Sequence, residues 1–167
     1  KEFSVNRIYL ILKSKGLKLS KNTLYSYLSM LEDSMFVFFL PKYKHSLRKK
    51  DFSINKCYLS DTGFVKLIET SKDIGRKMEN VVFLKLKKRD LIEIFYWKNN
   101  LNEEVDFVIK KGVKIEQLLQ VCYDIDDYNT KKREIRALLK ASKDLKCNNL
   151  LIITNYRDGE ERIKSKK

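Results

Sequence analysis

The sequence predicts an α/β chain of the α+β kind, in two parts over about 1–70 and 71–167, and three observations predict it. Segments with apolar residues at helical spacing alternate with short runs of strand-forming residues. The second part reads α-β-β-β-α-β, with hairpin-linked strands first and then a helix that returns the last strand in parallel. One Pro and five Gly leave no linker of obvious composition between the parts.

Taken in order, residues 4–15 (SVNRIYLILKSK) place Val5, Ile8 and Leu12 on one helical face. Ser4 is the expected N-cap and Gly16 the stop. A second helix over about 21–34, capped by Ser20 or Asn22, carries Leu24, Tyr27, Leu28 and Leu31 as an amphipathic stripe. Strands follow over 35–40 (MFVFFL) and 54–59 (INKCYL), joined by a basic stretch. A helix-turn-helix followed by two strands and a basic loop is a wing, so the first part reads as a winged helix-turn-helix. Asp61 reads as the cap of a short helix over about 62–69 rather than as a catalytic group.

In the second part a helix over about 74–90 precedes strands at about 91–98, 104–110 and 113–124. Lys111-Gly112 makes the turn between the last two. A helix over about 129–145, capped by Asn129 or Thr130, leads to a buried-looking strand at 149–154 (NLLIIT). Trp97 and Tyr96 read as core or as a contact between the parts, and Glu104 as solvated.

Lys and Arg number 36 against 22 acids, a net charge of +14. Residues 1–70 hold 13 cations and 6 acids, the remainder 23 and 16, so each part carries +7. A basic excess spread in this way favours a polyanion, most often nucleic acid, over a basic tail. Cys57, Cys122 and Cys147 are widely spaced and His45 is the single histidine, which excludes an ordinary zinc site and suits a reducing cytoplasm. No apolar run reaches the ~20 residues of a membrane span, and no Gly-rich phosphate loop is present. The chain opens without Met and stops without a terminating element, so it reads as a piece of a longer protein whose second part is truncated at its C-terminus.

Two constellations can carry function. Glu79 on a helix and Asp106 on a strand, with Gln120 and Cys122 two apart on the next strand, have the layout of a Mg²⁺-dependent phosphodiesterase site. Such a site also needs a Lys on the same face, which Cys122 cannot replace; Lys110 and Lys114 are nearby in sequence to stand in, and Gln120 brings no charge. In the first part, Lys21, Asn22, Thr23 and Tyr25 open the helix that would enter a major groove. Lys42, Lys44, Arg48, Lys49 and Lys50 supply phosphate contacts from the wing.

The runs Gly75 to Leu84 (GRKMENVVFL), Glu104 to Val108 (EVDFV), Leu119 to Tyr123 (LQVCY) and Thr130 to Leu139 (TKKREIRALL) resemble the C-terminal domain of a family of prokaryotic P-loop AAA-type ATPases. Tyr58 to Gly63 (YLSDTG) fits the winged helix that precedes that domain. The domain, catalogued as one of unknown function, is similar to the PD-(D/E)xK nucleases and implies a restriction-endonuclease-like αβββαβ core. The resemblance implies that Glu79 and Asp106, with Gln120, would be the metal and catalytic positions of an active nuclease. With Cys122 at the degenerate position, it implies an inactive nuclease-like domain beside a double-stranded DNA-binding module, and no enzyme in this piece. ATP and Mg²⁺ would belong to an N-terminal ATPase domain, itself a partner. The alternatives are a Mg²⁺-dependent DNA nuclease and a protein-interaction scaffold docking on that ATPase domain.

Overall fold

The computed structural model describes residues 2–44, 55–64, 73–156 and 158–160. The expected boundary near residue 70, the loop carrying Arg48, Lys49 and Lys50, His45, and most of the short helix expected at 62–69 lie outside these residues. The described chain is mixed α/β, with a three-stranded and a four-stranded sheet.

The first sheet has the order β1-β3-β2, all antiparallel. Its strands are β1 (Glu2–Phe3), β2 (Val37–Pro41) and β3 (Asn55–Leu59). Between β1 and β2 stand helices α1 (Val5–Ser14) and α2 (Lys21–Asp33). Ser20 caps α2 by accepting from the Thr23 N–H at 3.0 Å. Ser4 holds the cap position of α1 but makes no side-chain bond there, so the expected cap is one of backbone shape only. Gly16 takes φ +82 where α1 stops, a conformation that glycine adopts without a Cβ clash. The stripe expected on α2 is only partly covered: Leu24 is buried, whereas Tyr27 and Leu31 are exposed.

The second unit runs α3 (Ile74–Lys87), β4 (Glu93–Lys98), β5 (Glu104–Lys111), β6 (Lys114–Val121), α4 (Tyr128–Leu145) and β7 (Leu150–Ile153). The sheet order is β4-β5-β6-β7, antiparallel except for the parallel β6–β7 pair that α4 connects. Gly112, at φ +58, turns β5 into β6. The cap of α4 is Asp127, whose carboxylate accepts from the Thr130 N–H at 2.7 Å, rather than Asn129 or Thr130. The helix therefore starts earlier than its apolar periodicity announces.

Both faces of the second sheet are covered. On one, Ala137, Leu138, Ala141 and Leu145 of α4 pack against Val105, Val108 and Leu118. On the other, Phe83 and Leu86 of α3 share a cluster with Phe107 and Leu119 and also with Leu40 and Tyr58 of the first sheet. Tyr58 stacks on Phe83 with ring centroids 4.2 Å apart. Each buried Val, Leu or Phe among these contributes about 1.5–3 kcal/mol of transfer free energy. The two sheets are thus joined through one core. They are also stitched by backbone, since the Tyr43 N–H donates to the Tyr96 carbonyl at 2.7 Å.

Candidate functional site

The alternation of β3 turns Lys56 and Tyr58 to the same side, and both are buried. That side faces the second sheet, so the Lys56 ammonium enters a pocket of acids. It lies 2.7 Å from Asp106, 2.7 Å from Glu104 and 2.9 Å from Glu79. The Lys56 side chain is only 4% exposed. A buried ammonium is tolerable only with such partners, because desolvation alone costs several kcal/mol per ion.

The acids are themselves tied down. Glu79 accepts from the Tyr58 hydroxyl at 2.7 Å. Asp106 accepts from the Val121 N–H at 3.0 Å, and its own N–H donates to the Gln120 side-chain carbonyl at 3.1 Å. The Gln120 amide then donates to Glu134 at 2.6 Å, and Glu134 accepts from the Arg133 guanidinium at 2.6 Å. A polar chain therefore runs from the buried Lys56 ammonium to Arg133 at the surface. Beside it, Asn80 of α3 accepts from the Leu59 N–H and donates to the Leu59 carbonyl, both at 2.9 Å.

The electrostatics follow from burial. Burial pushes Asp106 up to about 7; the Lys56 ammonium opposes this and the Glu79 carboxylate reinforces it. Burial also works to raise Glu79, but the Lys56 ammonium, with hydrogen bonds from Lys56 and Tyr58, outweighs it and holds the group below its ordinary value. For Lys56, burial favours the neutral form, yet Asp106, Tyr58, Glu79 and Glu104 together hold it well above the usual ammonium value. Burial, against the pull of Lys56, drives the Tyr58 phenol upward, which keeps it a donor. Of Glu79 and Asp106, Asp106 is thus the more ready to take a proton.

The structure brings Glu79, Asp106 and Gln120 together through Lys56 and the β5–β6 backbone. Each already has a protein partner: the two carboxylates hold the ammonium, and the Gln120 carbonyl oxygen takes a backbone N–H. As placed they do not fit a Mg²⁺ ion, which needs a near-complete oxygen shell. Among the described residues no group of three His, Cys, Asp or Glu side chains is arranged to hold a metal ion. Cys122 is buried, its thiol 3.1 Å from the Asp124 carbonyl, and burial raises it first of all. The expected substitute lysines are elsewhere: Lys110 pairs with Glu93, and Lys114 lies exposed at the β5–β6 turn. Lys56, Tyr58, Glu104 and Glu134 were not anticipated at the site. Their signals were the inward alternation of Lys56 with Tyr58, and the position of Glu134 one turn from Ala137 and Leu138 on the buried face of α4.

Of the residues expected to meet DNA, Lys21 and Asn22 are exposed at the start of α2, with the Lys21 ammonium 5.4 Å from the Tyr9 ring centre. Thr23 is half-buried, its hydroxyl 2.9 Å from that of Ser20, and Tyr25 is half-buried too. Lys42 sits in a bridge to Tyr96, and Lys44 is exposed.

Comparison with known proteins adds two findings. Residues 3–73 match a family model described as a domain of unknown function, DUF8612. The chain is also similar to the uncharacterized protein MJ1544 of Methanocaldococcus jannaschii, 40% identical over 97% of this chain and 36% of that protein. The chain therefore spans little more than a third of the length of this relative. No solved structure matches it.

Proposed function

We propose that this chain is a DNA-binding region of an AAA-type ATPase, built as a winged helix-turn-helix on a nuclease-like core that does not cut. The observation that carries the non-catalytic part is the Lys56 ammonium among Glu79, Glu104 and Asp106. In a restriction-endonuclease-like core such acids would gather a metal, whereas here they hold a cation supplied by the chain; the order α3-β4-β5-β6-α4-β7 supports the likeness to that core. Double-stranded DNA binding is supported by the +7 excess in each part and by the exposure of Lys21, Asn22 and Lys44. By the sequence resemblance, ATP and Mg²⁺ go to an N-terminal ATPase domain. Three cysteines without a disulfide suit the cytoplasm, and no described helix is long and apolar enough to cross a membrane.

Fluorescence anisotropy of a labelled duplex across a salt series, with a cleavage assay in Mg²⁺ and in Mn²⁺, tests this reading. Salt-steep binding without cleavage is expected. Cleavage that disappears in Asp106→Asn would establish the nuclease instead.

A second reading, a scaffold docking on its own ATPase domain, is favoured by one observation. Leu10, Tyr27, Met30 and Met35 of the α1–α2 unit are all more than half exposed, and α2 itself carries one cation and two acids. No duplex affinity at low salt, together with co-migration of separately expressed ATPase domain, would favour it.

A further inference from the structure

The outer face of α4 is used neither by the packing of the fold nor by the Lys56 cluster. Ala137, Leu138, Ala141 and Leu145 turn inward to the sheet, so residues on the opposite side face solvent. There Ile135 and Leu139, half-buried, form the floor of a groove of about 480 Å³, with the exposed Tyr128, Lys132, Arg136 and Lys143 at its rim. The helix holds six cations and two acids; of the acids, Glu134 is buried and Asp144 bonds the Trp97 indole at 2.7 Å. No acid therefore lines the groove. Glu103 shares Arg136, at 2.8 Å, with Lys140. Lys132 and Lys143 are exposed, and neither has an ion pair among the described residues.

Lys132, Arg136 and Lys143 stand at i, i+4 and i+11, a line about 16 Å long at the helical rise. A line of that length can follow the backbone of one strand over several phosphates. Tyr128 is 71% exposed at the head of this line, with Lys132 5.8 Å from its ring centre. A duplex shows base edges in its grooves but keeps the base faces stacked inside, so it offers an exposed aromatic ring nothing to stack on. A single strand presents both backbone and unstacked bases, which is the combination that a basic groove with an aromatic platform takes.

We infer that the outer face of α4 binds single-stranded nucleic acid, with the backbone on Lys132, Arg136 and Lys143 and a base stacked on Tyr128. This surface shares no residue with the set that carries the duplex reading and stands or falls independently of it.

The test is anisotropy of the chain with a labelled twenty-nucleotide oligothymidine and with a duplex of equal length, in a salt series. Lys132→Ala/Lys143→Ala is expected to flatten the log–log salt slope for the single strand by about 1.4, two contacts' worth of counterion release. Tyr128→Ala is expected to weaken binding roughly tenfold with the slope unchanged, as loss of one stacked base does. All three side chains are exposed or at the rim, and an unchanged thermal melt would show the variants folded. Single-strand binding that neither variant alters overturns the inference, as does a preference of this face for the duplex. Binding of a poly-glutamate peptide but not of either oligonucleotide would overturn it in favour of an acidic protein partner. Loss of duplex binding in Lys21→Ala/Lys44→Ala alone would bear on the duplex reading and leave this one intact.

Discussion

Replacing Lys56 by Met removes one charge and leaves three. Glu79, Glu104 and Asp106 converge on an ammonium at 2.7–2.9 Å, and the Glu79 and Asp106 side chains are 20% and 10% exposed. Removing one partner of a buried ion pair costs about 3–5 kcal/mol, because the remaining charge is uncompensated. The lower end is expected near neutrality, since Asp106, already pushed up to about 7, can take a proton. Without Lys56, which lowers both Asp106 and Glu79, their values rise further. An acid whose folded value lies above its unfolded one holds a proton that the unfolded chain has lost, so stability falls as pH rises through that interval. The Lys56→Met deficit should therefore be larger at pH 8 than at pH 5. Urea unfolding of both proteins at the two pH values measures it. A variant as stable as its parent at pH 8, or a deficit independent of pH, would refute the reasoning. The triple variant Lys56→Met/Glu79→Gln/Asp106→Asn removes two of the three orphaned charges, leaves Glu104 with Lys98 at 3.4 Å, and should recover much of the loss.

Further expectations follow the same cluster and its surroundings. In the parent chain the Asp106 contribution is full below its ordinary value of 3.8 and is lost as pH rises to about 7; Asp106→Asn should abolish that decline in urea unfolding between pH 5 and 8. Asn80→Ala leaves the Leu59 N–H and carbonyl without their side-chain partner and should cost about 2–4 kcal/mol, read from the same unfolding curves. Asp127→Ala removes the N-cap of α4 and should lower the melting temperature in thermal melts. Asn129→Ala, two residues later and exposed, should change stability by less than about 0.5 kcal/mol in the same thermal melts.

Much of the fold was legible because its strands are short and its helices carry long apolar faces. The α3 to β7 order follows from that patterning alone. Local signals failed where tertiary context decides. β1 is two residues long and exists only because β3 pairs with it, through Glu2 opposite Lys56 and Phe3 opposite Asn55. Two good cap formers, Asn129 and Thr130, hid Asp127 just upstream. Tyr27 and Leu31 belong to the stripe of α2, but α1 covers only part of it. The site was half legible. Carboxylates on a helix and a strand announce themselves, and Glu79, Asp106 and Gln120 do meet. Lys56 did not, because a Lys after a basic loop reads as solvated, and nothing local says that β3 lies against a second sheet. Glu104 was misjudged for the same reason: it reads as solvated until Lys56 is known to stand 2.7 Å away.

The polar centre also sets an order of events during synthesis. Lys56 and Asp106 are 50 residues apart, and Glu2 and Lys98 are 96 apart. When β3 leaves the ribosome its inward cation has no counter-charge, and Tyr58 has no ring to stack on. Contacts of such sequence separation form late, since the closing of the intervening loop must come first. The first sheet therefore matures only after β5 has emerged. Hydrogen exchange should then report one cooperative unit spanning both sheets, with the amides of β3 as slow as those of β5. A chain divided near residue 70 would strand an unpaired ammonium on one fragment and three acids on the other.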